Sequence, residues 1–314
     1  MDLFELRVRP AVFVICALVL ISGSQAFAAD WRVPGDFATI QDAVNSPSVA
    51  DGDRILVGPG SFAGALIDKP VHIQGQGRTT ISSGPAHPSG MSQGFRLLAG
   101  ADGTTITRLR FTVDLAVIAG ADTTNVTVTQ NTFVNPVQGI SAWRASGWEI
   151  THNDITDLRT RCGGGIGILV GDYNGGSVTD NVVSHNRIRG TVHVAAGDCG
   201  GYNGSGIVVY ADYRWGRLGS TQIAFNRIVK NDISLVSDNA PVVDVAAFEL
   251  TEASDAPLPA HVIHDNAIGF NDFRGTALQV VLSPEDLADV NTISRNLGEN
   301  RGHGMRPSAF GPVD

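Results

Sequence analysis

The chain has 314 residues, with 31 acidic against 22 basic side chains and a net charge of -9. Only Lys69 and Lys230 are lysines, and the acidic balance argues against a general nucleic-acid binder, which would carry a basic stripe. Glycine is abundant at 37 residues while charged residues make up 17%, too apolar for a disordered polyelectrolyte and too rich in Gly and Asn for a helical bundle.

Residues 1–28 read as a cleavable secretory signal. Arg7 and Arg9 precede an apolar run from Ala11 to Ile21, and the small-residue site Ala26-Phe27-Ala28 follows. A membrane anchor is the competing reading, but about 11 apolar residues fall short of the roughly 20 a span needs. The mature protein is therefore expected to start near Ala29, without Cys16, and to be secreted or periplasmic. No later segment reads as a membrane span.

The stretch 36–81 opens with a short helix whose apolar face is Ile40, Ala43 and Val44, with Asp36 as the expected cap. GDRILVGPGSF then begins a first coil. From about 125 a phrase recurs: a β-branched strand, an Asn turn and a second short strand. It appears as NVTVTQNTFV, WEITHNDI, SVTDNVV, TQIAFNRI, HVIHDNAI and NTISRNLG. The asparagines at 131, 153, 181, 226, 266 and 296 are 22, 28, 45, 40 and 30 residues apart. A third strand follows most copies: GISAW, GIGILV, GIVVY, AAFEL and ALQVVL. A base period near 22 with unequal excess fits a solenoid with loops inserted on one side.

Asn tolerates the left-handed conformation that a tight bend needs, and stacked coils about 4.8 Å apart let its amides bond from coil to coil. A sandwich of hairpins is the alternative, but the NG or DG pairs of hairpin turns are missing at these positions. The expected fold is all-β, a right-handed parallel β-helix over 29–298, with a loose tail over 299–314.

The opening "ATIQ-A" helix and the "GD-I-V-PG-F" coil resemble those of right-handed parallel β-helix proteins of the pectate-lyase-like superfamily. That resemblance covers most of the mature chain but is one of scaffold. It implies a helix plugging the end of the solenoid and a sugar-binding groove on the third sheet. The superfamily holds lyases, hydrolases, esterases, epimerases and non-catalytic sugar-binding proteins, so the scaffold names no reaction. The chain lacks the RxPxxR pair of pectate lyases, the DPHD of alginate epimerases and the closely spaced Asp motif of polygalacturonases.

Alternation along the third strands sends Ser141, Gly167, Val208, Glu249 and Gln279 outward in one column, and Trp143, Leu169, Tyr210, Thr251 and Val281 in the next. Loops beside these strands carry Asp198, His193, Tyr202, Asp212, Tyr213, Arg214, Trp215, Asp238, Asp244 and Asp255. Trp143, Tyr210, Trp215, Gln279 and Arg189 are the expected substrate-binding residues, aromatic faces meeting sugar faces and polar groups meeting hydroxyls.

Glu249, in an apolar strand, is the sharpest catalytic candidate, because burial there would raise its pKa. For hydrolysis Asp244 or Asp198 would be the second carboxylate. For elimination Arg189, His193, Tyr210 or Arg214 would be the base, with Asp198 and Asp244 able to hold Ca²⁺. The remaining Cys162 and Cys199, each followed by Gly-Gly, are expected to pair as a disulfide in an exported protein. His261 and His264 read as ordinary turn residues rather than metal ligands. The expected function is binding and cleavage of a polysaccharide by a monomer, lyase ahead of hydrolase, with a non-catalytic carbohydrate-binding or accessory protein as the alternative.

Overall fold

The computed structural model describes residues 28–161, 164–173, 175–194, 203–214, 221–238, 244–254, 258 and 260–303. Residues 1–27 of the expected signal, Cys162 and Cys199, Asp198 and Trp215 lie outside these residues. Described strands wind into a parallel β-helix. A ten-stranded first sheet runs from Asp30–Val33 to Thr292–Ser294, and a seven-stranded second sheet from Gly60–Ala63 to Asp232–Ser237. A nine-stranded third sheet runs from Leu66–Ile67 to Arg301–His303. Neighbours in each sheet come from successive coils and pair in parallel, as in Phe133 beside Ile155 and Ile207 beside Phe248.

Each coil buries one side of its strands in a shared axial core. Ile106, Val128, Ile150, Val183, Ile228 and Ile268 line the first sheet at 0–1% exposure. Phe111 stacks on Phe133 at 4.9 Å, continuing the core along the second sheet. The helix Ile40–Asn45 closes the N-terminal end by burying Ile40, Ala43 and Val44. Its cap is Thr39, reciprocally bonded with Asp42, because Thr39 is the residue directly before the first helical turn. Asp36 instead accepts the backbone N–H of Arg32.

The asparagines do ladder from coil to coil, but in two columns five residues apart. One runs Asn131, Asn153, Asn186, Asn231, Asn271 and Asn296, and the other Asn181, Asn226, Asn266 and Asn291. The single series read from the sequence had crossed from one column to the other. In each step the Nδ2 donates to the next Oδ1 at 2.8–3.2 Å, and that Oδ1 also accepts the backbone N–H of the preceding asparagine. In the first column the left-handed residue is the one before each asparagine: Gln130, His152, His185, Lys230, Phe270 and Arg295 all have φ between 56° and 60°. The bend costs these residues backbone strain, and the buried amide that follows offsets it.

Glycines entering the third strands sit where coils approach most closely. A Cβ on Gly167 would lie 2.5 Å from the Gly206 carbonyl oxygen and 3.0 Å from Ile188 Cδ1; Gly139 and Gly206 meet the same obstruction from Gly167 and Ala247. The strand pattern also continues past 298, since Arg301–His303 pairs with the strand Leu278–Ser283.

Candidate functional site

In the middle of the third sheet the outer face is enclosed as fully as the inner face. Strands Gln138–Trp143, Gly165–Asp172 and Gly204–Asp212 are buried at every position. Register places Ser141, Leu169, Val208, Glu249 and Val281 in one outer column. Trp143, Gly171, Tyr210, Thr251 and Ser283 form the next. Gln138, Ile166, Ser205, Ala246 and Leu278 form a third, two coils beyond Gln93. The columns read from the sequence had Gly167 and Leu169 shifted by two residues and placed Gln279 level with Glu249. An extra residue between the first and second outer positions, at 139, 167, 206 and 247, breaks the simple alternation.

Polar groups concentrate on this covered face. Glu249 has no exposed surface. The Ser205 hydroxyl donates to its Oε1 at 2.6 Å, while Oε2 meets no partner among the described residues. Burial pushes the carboxyl up to about 7, against the lowering effect of the Ser205 bond. The side-chain amide of Gln93, Gln138 Nε2, Trp143 Nε1 and Thr251 Oγ1 are likewise buried without partners among the described residues. Buried polar atoms are normally paired, so such a row on one face of one sheet requires explanation.

Toward the C-terminal ends of these strands lies an aromatic and ionic cluster. Trp143 meets Tyr173 edge-on at 5.2 Å and Tyr210 at 6.1 Å, and the Arg144 guanidinium lies over Tyr173. The Tyr210 hydroxyl donates to Asp212 at 2.8 Å and accepts from Arg214 at 2.8 Å. Arg214 also grips both Asp212 oxygens. Burial, then the adjacent Asp212 charge, raises Tyr210 well above the ordinary phenol range. Burial alone would raise Asp212, but the bonds from Arg214 and Tyr210 hold its carboxyl below the usual value. Tyr210 is therefore a fixed phenol donor, and Arg214 a paired cation.

Of the residues expected to act, this face gathers Glu249, Tyr210, Trp143 and, through Tyr210, Arg214. Asp244 is exposed and precedes Glu249 by five residues, roughly 16 Å along an extended strand. Asp212 sits four residues beyond Val208, the residue level with Glu249, or roughly 13 Å away along the strand. His193 and Arg189 belong to the second sheet, where they pair with Asp238 and Asp232. Gln279 is half-buried and accepts the backbone N–H of Asn300. Among the described residues no three His, Cys, Asp or Glu side chains are placed to hold a metal ion. Asp244 alone does not make a calcium cage, and no step is assigned to calcium.

Gln93, Gln138 and Ser205 were missed by sequence reading. Their signal was available as polar residues inside otherwise apolar third strands, the same signal that marked Glu249.

No protein-family model and no curated protein matches the chain. Among solved structures, the catalytic domain of a GH87 α-1,3-glucanase in complex with tetrasaccharides matches with a TM-score of 0.33 and 12% identity, covering 88% of this chain and 68% of that one. No described helix is long and apolar enough to cross a membrane.

Proposed function

We propose that the protein binds a polysaccharide across the outer face of the third sheet, with Glu249 as the group that gives it a proton. The observation carrying this reading is the buried Glu249 carboxyl, unpartnered at Oε2 among the described residues, on the same outer face as the buried amides of Gln93 and Gln138 and the indole of Trp143, which likewise leave polar atoms without partners there. These donors and acceptors match sugar hydroxyls, and the aromatic groups beside them match sugar ring faces. A carboxyl titrating near 7 is protonated for about half of the molecules at neutrality, which suits a general acid.

Both candidate reactions need that proton on the departing glycosidic oxygen. Hydrolysis adds a second carboxylate within about 10 Å, and neither Asp244 nor Asp212 meets that requirement along the strand. Elimination instead needs a base to remove the proton next to a uronate carboxyl, and the products read in the panel below decide between the two reactions. Tyr210, kept protonated, and Arg214, paired to Asp212, are positioning groups for the ligand rather than that base. Glu249 has no exposed surface, so productive binding must uncover it.

The test is a polysaccharide panel, neutral and uronate-containing, with and without Ca²⁺. Trp143 fluorescence reads binding, new reducing ends read any cleavage, and the unsaturated-uronate absorbance reads elimination. Cleavage by the native chain that falls at least 100-fold in Glu249→Gln supports the reading. Binding without cleavage leaves the accessory, non-catalytic protein. Binding or cleavage indifferent to Glu249→Gln and Gln138→Leu overturns the assignment of this face.

A further inference from the structure

The second sheet carries two kinds of arginine. In its C-terminal half Arg187 bonds Asp154, Arg189 bonds Asp232 and Arg274, on the adjoining turn, bonds Asp272, while Arg295 lies over the Phe270 ring. In its N-terminal half Arg78, Arg108 and Arg110 are exposed and form no ion pair among the described residues. These three surround an open pocket of about 380 Å³, whose remaining lining includes Thr80, Gln130 and Thr132.

The register explains why the arginines converge. Thr80, Arg110 and Thr132 are consecutive members of one outward column, and the first carboxylate in that column, Asp154, is committed to Arg187. Arg108 occupies the left-handed turn position, φ 57°, and donates to Gln130 Oε1 at 3.2 Å one coil on. That bond uses the acceptor side of the Gln130 amide and turns its donor side free. The lining then presents guanidinium N–H groups, hydroxyls and an amide N–H, with no acidic side chain among them.

We propose that this pocket binds an oxyanion carried on a glycan, a uronate carboxylate or a sulfate ester. Guanidinium forks match both groups in two-point geometry. The volume exceeds that of a free inorganic anion and falls within the range of sugar-sized ligands. No aromatic side chain lines the pocket, so it offers no platform for stacking nucleobases. The site lies on a different sheet from Glu249 and stands independently of the role given to that residue.

The experiment compares retention and titration of the full chain with polygalacturonate, dextran sulfate, neutral dextran and duplex DNA. The variant Arg78→Gln/Arg108→Gln/Arg110→Gln is set against Arg187→Gln/Arg189→Gln, which removes charge from the paired half. Gln already occupies the left-handed turn at 130, so the change at 108 keeps the backbone. We expect one or both anionic glycans to bind more tightly than neutral dextran. The triple variant should lose at least 10-fold of that affinity while the paired-half variant keeps it within 2-fold. Which glycan binds assigns carboxylate or sulfate. Equal binding of neutral dextran, equal loss in both variants, or DNA binding as tight as the glycans would overturn the proposal. Reducing-end assays on the triple variant separate this outcome from failure at Glu249.

Discussion

Two buried polar regions of this molecule obey opposite rules. In the asparagine columns each interior amide is satisfied on every side: Asn186 accepts from the backbone and side chain of Asn153 and donates to Ile150 and Asn231. On the outer face of the third sheet Gln93, Gln138, Trp143 and Glu249 are equally buried but leave polar atoms without partners. The first arrangement is what a scaffold needs, since complete networks specify one register. The second costs folding free energy and makes sense where a ligand supplies the missing partners.

Substitution should therefore move stability in opposite directions in the two regions. The largest effect is expected for Asn186→Ala, which strands a backbone N–H, a carbonyl and two amides in the core. A loss of roughly 3–5 kcal/mol follows from about 1–3 kcal/mol for each stranded group, read by urea denaturation. Asn296→Ala, at the end of the column and half-buried, should cost only about 1 kcal/mol.

Glu249 comes next, through pH. Its carboxyl binds a proton more tightly in the folded chain, near 7, than in the unfolded chain, near 4.5. The folded state thus holds more protons between these values, and its stability must fall as pH rises through that window. The fall amounts to roughly 3 kcal/mol at about 1.4 kcal/mol per unit. Glu249→Gln should remove this slope, so melting curves of the two proteins should converge near pH 4.5 and separate by pH 8. Parallel curves would show that Glu249 is ionised at low pH like an exposed carboxylate.

A smaller effect of opposite sign to that in the asparagine columns is expected for Gln93→Leu. It replaces an amide with two unpartnered atoms by a group suited to its neighbour Leu115, and should stabilise by about 1–2 kcal/mol. The smallest concerns His261, whose pKa is raised by its bond to Glu252 and by the charges of Glu252 and Asp286. Its stabilising contribution is present below about pH 6.5 and is lost as pH rises past the folded value. Being partly exposed, it should be visible as a slight pH dependence that His261→Asn removes.

Much of the scaffold was legible because it repeats. Apolar alternation, the Asn turns and the opening helix with Ile40, Ala43 and Val44 are local signals renewed in each coil. What escaped were features set by relations between coils. Asn181 and Asn186 belong to different columns although both follow a short β-branched strand, and only the pairing register distinguishes them. The outward columns slipped by two residues at Gly167 and Leu169 and again at Gln279 for the same reason, since only pairing register aligns one coil with the next. At the site, Glu249 was readable as a charged residue in an apolar strand. Arg189 and His193 were misassigned to its face because chain proximity to a third strand does not reveal which sheet a residue joins.

The central claim is that the covered face of the third sheet is kept polar for a ligand. It is tested most directly by the double variant Gln93→Leu/Glu249→Gln, measured at neutral pH for both stability and polysaccharide binding. The account predicts a protein at least as stable as the native chain whose binding and any cleavage are lost. A protein destabilised as an asparagine-column variant is, with binding intact, would contradict it.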